Sequence, residues 1–149
     1  MINSPKNKKQ KTKKMKNYFI LFFGLLLFHS CFDNNQEAPN YRFEYLPIDS
    51  AITPESFTFG EIDTITLTYF LPNGCYSFDQ IYYEVIDTTR VVAVSAIVEL
   101  DMPCTEALIQ EEAKFTVRAT QKEDYLFKFF KGKDSIGSDI FEEVVVPVN

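Results

Sequence analysis

Residues 64–69 have the sequence TITLTY, in which each threonine is followed by a larger apolar or aromatic residue. Neighbouring side chains on a strand point to opposite faces, so this alternation is typical of a β-strand with one buried face. The sequence PNG follows at 72–74 and predicts a turn. We therefore expect the chain to be built from strands joined by short turns.

The same period-two pattern recurs through residues 41–149. It appears at 41–45, 81–85, 113–119 and 125–130, while 90–100 is apolar on both faces and 141–148 is interpreted as a closing strand. Seven or eight strands of this kind with no convincing helix predict two packed antiparallel sheets.

Residues 123–127, EDYLF, begin the penultimate strand and place Tyr125 two positions before Phe127. This spacing matches the tyrosine corner of Greek-key sandwiches, with Phe127 at the core position. A tyrosine in a core is commoner than a tyrosine corner, so Tyr125 supports this fold only in combination with the number of predicted strands. Together they predict an all-β fold over 41–149, a single immunoglobulin-like Greek-key β-sandwich of about seven or eight antiparallel strands.

A basic and then apolar segment, MKNYFILFFGLLLFHSC, precedes this domain at Met15–Cys31. Its apolar run from Tyr18 to Phe28 is shorter than the roughly 20 residues of a membrane-spanning helix and fits the about 7–15 residues of a signal peptide. We predict a signal peptide over 1–30, with Met15 as a candidate true start, and lipidation of Cys31. An uncleaved anchor and a basic nucleic-acid-binding tail are the alternatives.

Residues 31–40 are polar and without periodicity, so we expect a flexible tether between the lipid and the domain. Cleavage would also change the charge. The whole chain has 15 Lys+Arg and 21 Asp+Glu, a net charge of −6; residues 1–30 hold seven of the basic residues and none of the acidic ones, which leaves 8 against 21, or −13. Such acidity argues against a nucleic-acid partner, because phosphates would be repelled.

The chain contains three cysteines. With Cys31 at the predicted cleavage point, Cys75 and Cys104 remain as an even pair in an exported domain, which predicts a disulfide. Two unconnected buried thiols are the alternative.

Candidate catalytic chemistry is limited by residue type. The single histidine, His29, lies in the predicted signal peptide, so the mature chain would lack Ser-His-Asp and Cys-His catalysis and histidine-based zinc sites. The five glycines form no phosphate-binding motif. The neighbouring carboxylates Glu142 and Glu143 lie on a predicted strand and would face opposite ways. We predict no catalytic, metal-binding or cofactor-binding residue and no cofactor, and hence no enzyme.

Aromatic residues are abundant, with 15 Phe and 8 Tyr. Tyr82 and Phe130 have two interpretations: they line a binding surface, or they lie on the second face of a covered strand. The second interpretation, a core position, is favoured, although the sheet that carries them would still present an aromatic patch.

Three features resemble small secreted lipoproteins of Bacteroidota, of the flavobacterial type: the cysteine after a Pro-x-Gly turn, a second cysteine before a YxFxF strand, and the closing VPV. The resemblance covers 55–149 and implies an immunoglobulin-like sandwich on a lipid anchor, with no activity attached. In that group, acidic residues after the cysteine resemble a surface-export signal, which Asp33 and Glu37 partly match.

These observations predict a non-enzymatic binding or structural module of the cell envelope. It would be an exported, outer-membrane-anchored lipoprotein on the periplasmic or cell-surface face, held to the membrane by a lipid on Cys31, with an envelope protein or glycan as partner. Two alternatives remain: a carboxylate-dependent glycan hydrolase, and an inhibitor of secreted proteases that uses the 72–74 turn or the 101–112 loop.

Overall fold

The computed structural model describes residues 40–149. The predicted signal peptide 1–30, the lipidation site Cys31 and the tether up to residue 39 lie outside the described residues. The strands in order are β1 (Tyr41–Leu46), β2 (Ile48–Ile52), β3 (Ile62–Leu71), β4 (Tyr76–Ile86), β5 (Thr89–Glu99), β6 (Ile109–Arg118), β7 (Tyr125–Lys133) and β8 (Asp139–Val146). Between residues 40 and 149, no helix is long and apolar enough to cross a membrane.

The eight strands form two sheets. The smaller sheet has the order β2-β3-β6. In the larger, five-stranded sheet, β5 pairs with β4 along one edge and with β1 and β7 along the other, and β8 pairs with β7. The predicted β-sandwich of seven or eight strands is confirmed.

One pair of neighbouring strands departs from the predicted antiparallel arrangement. Thr89–Val92 of β5 lie parallel to Leu126–Phe129 of β7. The chain crosses to the smaller sheet through β6 between these two strands, so it returns in β7 running in the same direction as β5. β1 already pairs with residues 94–99, which leaves 89–92 for β7 on the same edge of β5.

A proline separates the first two strands and moves the chain from one sheet to the other. Leu46 pairs with Val94 in the larger sheet, whereas Ile48 pairs with Tyr69 in the smaller one. Pro47 has no backbone N–H to contribute to a ladder, so it suits the point where pairing changes partner. This switch links the two sheets through a single residue.

The core lies between the sheets and follows the predicted alternation. On β3 and β7, six alternate side chains are at most 1% exposed: Ile65, Leu67, Tyr69, Tyr125, Phe127 and Phe129. Residues 92–96 of β5 are buried on both faces, as its apolar sequence predicts.

The predicted tyrosine corner is present. The Tyr125 hydroxyl accepts a hydrogen bond from the backbone N–H of Thr120 at 2.9 Å, and it donates to the carbonyl of Arg118 at 3.5 Å. The Tyr125 ring packs against Phe57, with a centroid distance of 5.1 Å. The corner therefore ties the connection between β6 and β7 to the core.

Arg90 is a buried charge beside this corner. Its guanidinium lies 4.7 Å from the centre of the Tyr125 ring and donates to the carbonyls of Asp87 and Thr89 and to the side chain of Gln121. Buried charges need such partners, because leaving them unpaired is costly. The result is a firm link between the β4–β5 turn and the β6–β7 connection.

Cys75 and Cys104 form the predicted disulfide. Cys75 immediately precedes β4, and Cys104 follows β5, so the bond joins the two open ends of the β4–β5 hairpin. The backbone N–H of Gly74 also donates to the carbonyl of Thr105 at 3.0 Å. A β-carbon at Gly74 would overlap the Thr105 side chain, so glycine is required for this close approach.

Candidate binding face

The outer face of the larger sheet, which points away from the smaller sheet, carries exposed aromatic side chains on β1. Leu46 is packed in the core, so alternation directs Tyr45, Phe43 and Tyr41 outward. Their exposed fractions are 50%, 61% and 49% respectively. We call these three residues the aromatic row. The alternation at 41–45 predicts a strand with one buried face, but no residue of 41–45 is buried, and Leu46 is the buried residue of β1.

The aromatic row continues across the sheet through ring contacts. Tyr45 lies 5.4 Å from Tyr82 of β4 and 6.3 Å from Phe130 of β7, measured between ring centroids. Phe130 in turn lies 6.0 Å from Phe141 of β8. Phe130 is 5% exposed, but it is buried within this outer aromatic layer and not between the sheets. Tyr82 and Phe130 thus support an aromatic surface.

A groove of about 310 Å³ lies beside the aromatic row. This volume is at the lower end of the roughly 300–1,000 Å³ found for ligand pockets. The groove is lined by Phe43, Glu44, Tyr45, Asp79, Gln80 and Ser95.

The strand register explains why a groove forms here. Ser95 of β5 pairs with Tyr45 on one side and with Gln80 on the other. A small central residue between two larger ones leaves a trough above β5. A β-bulge between Phe78 and Gln80 inserts Asp79, which brings a second polar side chain to the same side of the trough.

The polar side chains of the groove differ in how many hydrogen bonds they already make within the protein. Ser95, which is 5% exposed, donates its hydroxyl to Oδ2 of Asp79 at 3.0 Å. Oε2 of Glu44 accepts hydrogen bonds from Arg42 and from the Tyr76 hydroxyl. The bond from Ser95 therefore orients the Asp79 carboxylate, which keeps acceptor capacity on its second oxygen.

The charge around the groove is negative. None of its six lining residues is a lysine or an arginine. On β7 of the same sheet, Lys128 is paired with Glu143 and Lys131 with Glu142, at 2.8 and 3.2 Å. An anionic ligand would find no cationic side chain in the lining to neutralise it.

The predicted carboxylate pair, Glu142 and Glu143, does not form one site, because each residue pairs with a different lysine of β7. Within the described part of the chain, no group of three metal-ligating side chains lies together.

The loop between β5 and β6 is exposed at every residue from 101 to 108. It is held at its middle by the disulfide and by the hydrogen bond between Gly74 and Thr105. It lies within the 101–112 loop, one of the two segments that the protease-inhibitor alternative would use, and it is accessible.

Sequence reasoning missed most of this face. Phe43, Tyr45, Asp79 and Ser95 were not singled out, because strand alternation alone does not say which face is buried. One signal was available: Leu46, next to the proline, has the opposite parity from the aromatic residues of 41–45.

The ORF11 beta-sandwich domain family matches residues 65–136, just under half of the chain. The match agrees with the sandwich architecture, and it includes the β4–β5 hairpin with the polar side of the groove but excludes β1 and its aromatic row. No curated protein and no solved structure matches the chain.

Proposed function

We propose that this protein is a lipid-anchored, non-enzymatic binding module of the cell envelope, and that the aromatic row with its groove is the binding surface. The observation that carries the proposal is the outward placement of Tyr41, Phe43 and Tyr45 on one strand. Contiguous exposed apolar patches mark interaction sites, and Tyr and Phe are enriched at interfaces.

The surface is suited to binding because it is rigid before the partner arrives. The aromatic row lies on a strand that pairs over its whole length, from Tyr41 opposite Glu99 to Leu46 opposite Val94. Side chains on such an element lose little further backbone freedom when they bind, which lowers the entropic cost of association.

The non-enzymatic part of the proposal is supported by the side chains that are present. His29 is the only histidine of the chain and precedes the predicted cleavage point. The two cysteines of the domain are joined to each other, so neither provides a thiolate nucleophile. The disulfide also fits an oxidising compartment outside the cytoplasm.

The anchor is tested by mass spectrometry of the protein isolated from its native membrane. We expect the chain to begin at Cys31 and to carry a diacyl or triacyl modification. An unmodified chain that still begins at Met1 would overturn the export and anchoring part of the proposal.

The binding surface is tested by co-sedimentation of the lipoprotein, purified in detergent, with fractionated envelope material. The variant Phe43→Ala/Tyr45→Ala should lose most of the bound fraction. Ile52→Ala/Ile136→Ala is the matched control, because it removes two exposed apolar side chains, 66% and 85% exposed, one from β2 of the smaller sheet and one from the β7–β8 turn. Equal binding by the two double variants would show that the aromatic row is not the surface.

A further inference from the structure

The geometry points to a neutral glycan chain as the ligand of this face, with sugar rings stacked on Phe43 and Tyr45 and sugar hydroxyls bonded to Asp79 and Gln80. The inference rests on the proposed function and assigns a ligand class to its binding surface. It follows from three features: the spacing of the rings, the polar groups at their side, and the charge.

Ring spacing suits an extended ligand. Phe43 and Tyr45 are two residues apart on β1, which places their Cα atoms about 7 Å apart. The Tyr41 ring lies 5.6 Å from the Phe43 ring and stands at 88° to it, so it presents its edge to Phe43 and extends the row at its far end. From Tyr41 to Tyr45 the row extends over roughly 14 Å. A pyranose ring has apolar C–H faces that pack on aromatic rings, and a row of this length accommodates more than one such ring along the strand.

The polar groups lie where the rim of a stacked sugar would project. Asp79 and Gln80 form the opposite side of the groove from Tyr45, across the small residue Ser95. The hydrogen bond from Ser95 holds the Asp79 carboxylate in place before any ligand binds. A sugar hydroxyl can donate to the second Asp79 oxygen, and the Gln80 amide both donates and accepts.

The charge of the groove and the length of the aromatic row disfavour other classes of ligand. Asp79 supplies the carboxylate of the groove, because Glu44 has the parity of Leu46 and its carboxylate bonds Arg42 and Tyr76 instead. The lining also has no basic side chain, which disfavours phosphorylated, sulfated or uronic-acid ligands. A small cationic ligand would be attracted to Asp79, but it would leave the Tyr41 end of the row unused. A neutral polyhydroxylated chain uses the rings and the polar groups together.

The first test measures binding of the lipoprotein, purified in detergent, to neutral β-glucan, mannan, xylan and galactan by calorimetry and affinity electrophoresis. We expect binding to at least one of them, weakened at least tenfold by Phe43→Ala and several-fold by Asp79→Asn. Ile136→Ala is the control. Phe43 is the main target because it is 61% exposed, so its removal should leave folding intact, which thermal unfolding verifies.

The second test treats the envelope fraction that binds the protein. Periodate oxidation of its sugars should abolish binding, and protease digestion should not. Binding that survives periodate and is lost after protease treatment would overturn the glycan assignment and leave the binding surface intact, with a protein as partner. Absence of binding to every envelope fraction and every polysaccharide would overturn both the assignment and the proposed function.

Discussion

Replacing Cys75 and Cys104 together with alanine is expected to destabilise the domain more than most surface changes would. The disulfide joins residues 29 positions apart and closes the open end of the β4–β5 hairpin. That hairpin carries Asp79, Gln80 and Ser95, so the bond supports the polar side of the groove as well as the fold.

The magnitude follows from the size of the closed loop. For a crosslink over 29 residues, the chain-entropy model assigns a stabilisation of about 3–4 kcal/mol at 25 °C, through restriction of the unfolded chain. Small domains have total unfolding free energies of about 5–15 kcal/mol, so this is a large share. At roughly 4 °C per kcal/mol for a domain of this size, the Tm should fall by about 12–16 °C.

Urea unfolding followed by far-UV circular dichroism measures the effect, since the chain has no tryptophan for fluorescence. The double variant should agree with the reduced wild-type protein, which lacks the bond but keeps both sulfur atoms. Reductant should leave the double variant unchanged. Losses below about 1 kcal/mol in both the variant and the reduced protein would refute the entropic argument, because the unfolded chain would then gain little freedom from losing the bond.

Two tyrosine substitutions are expected to change unfolding in different ways. Tyr125→Phe leaves the backbone N–H of Thr120 without its acceptor, so the unfolding free energy should fall by about 1–2 kcal/mol. Tyr82→Phe removes an exposed hydrogen bond and should change the unfolding free energy by less than about 0.5 kcal/mol. Similar losses in the two variants would contradict the stabilising role of the tyrosine corner. Burial and a hydrogen bond to Glu111 raise the pKa of Tyr69 above that of an unfolded tyrosine, about 10, so the native state keeps a proton that the unfolded state loses. The contribution of Tyr69 to the unfolding free energy, measured in urea, should therefore be constant below about pH 10 and fall above it. In Tyr69→Phe the decrease of the unfolding free energy with pH should be shallower. The same decrease in both proteins would show that Tyr69 is not responsible.

The parts of the fold that could be predicted from sequence are those set by local pattern or by residue type. Alternation along 64–69 identified the buried face because that stretch has one apolar parity and one polar parity. Along 125–130 one parity is wholly aromatic, whereas the other includes Lys128. The pairing of Cys75 with Cys104 followed from there being two cysteines left in a domain that is predicted to be exported. Tyr125 was identified because its hydrogen bonds are made within seven residues along the chain.

The candidate site depends on relations that no local pattern contains. The groove needs Ser95 between Tyr45 and Gln80, and this depends on the register of three strands. The bulge at Asp79 interrupts the inward–outward alternation of β4, and no glycine or proline lies at this point to predict it. The parallel pairing of β5 with β7 arises from competition between two strands for one edge, which is a property of the whole sheet.

The strand β1 shows why the aromatic row is better explained by binding than by stability. Leu46 pairs with Val94 and packs in the core, and a slip of one residue would send it to the outer face, so the register of the strand is fixed at this end. With Leu46 inward, Tyr45, Phe43 and Tyr41 must face outward. Charged side chains protect an edge strand from aggregation, and β1 has two of them, Arg42 and Glu44, with side-chain exposures of 56% and 39%. The exposed rings of Tyr41, Phe43 and Tyr45 neither pack in the core nor add to this protection, and contact with a bound partner is the role that we propose for them.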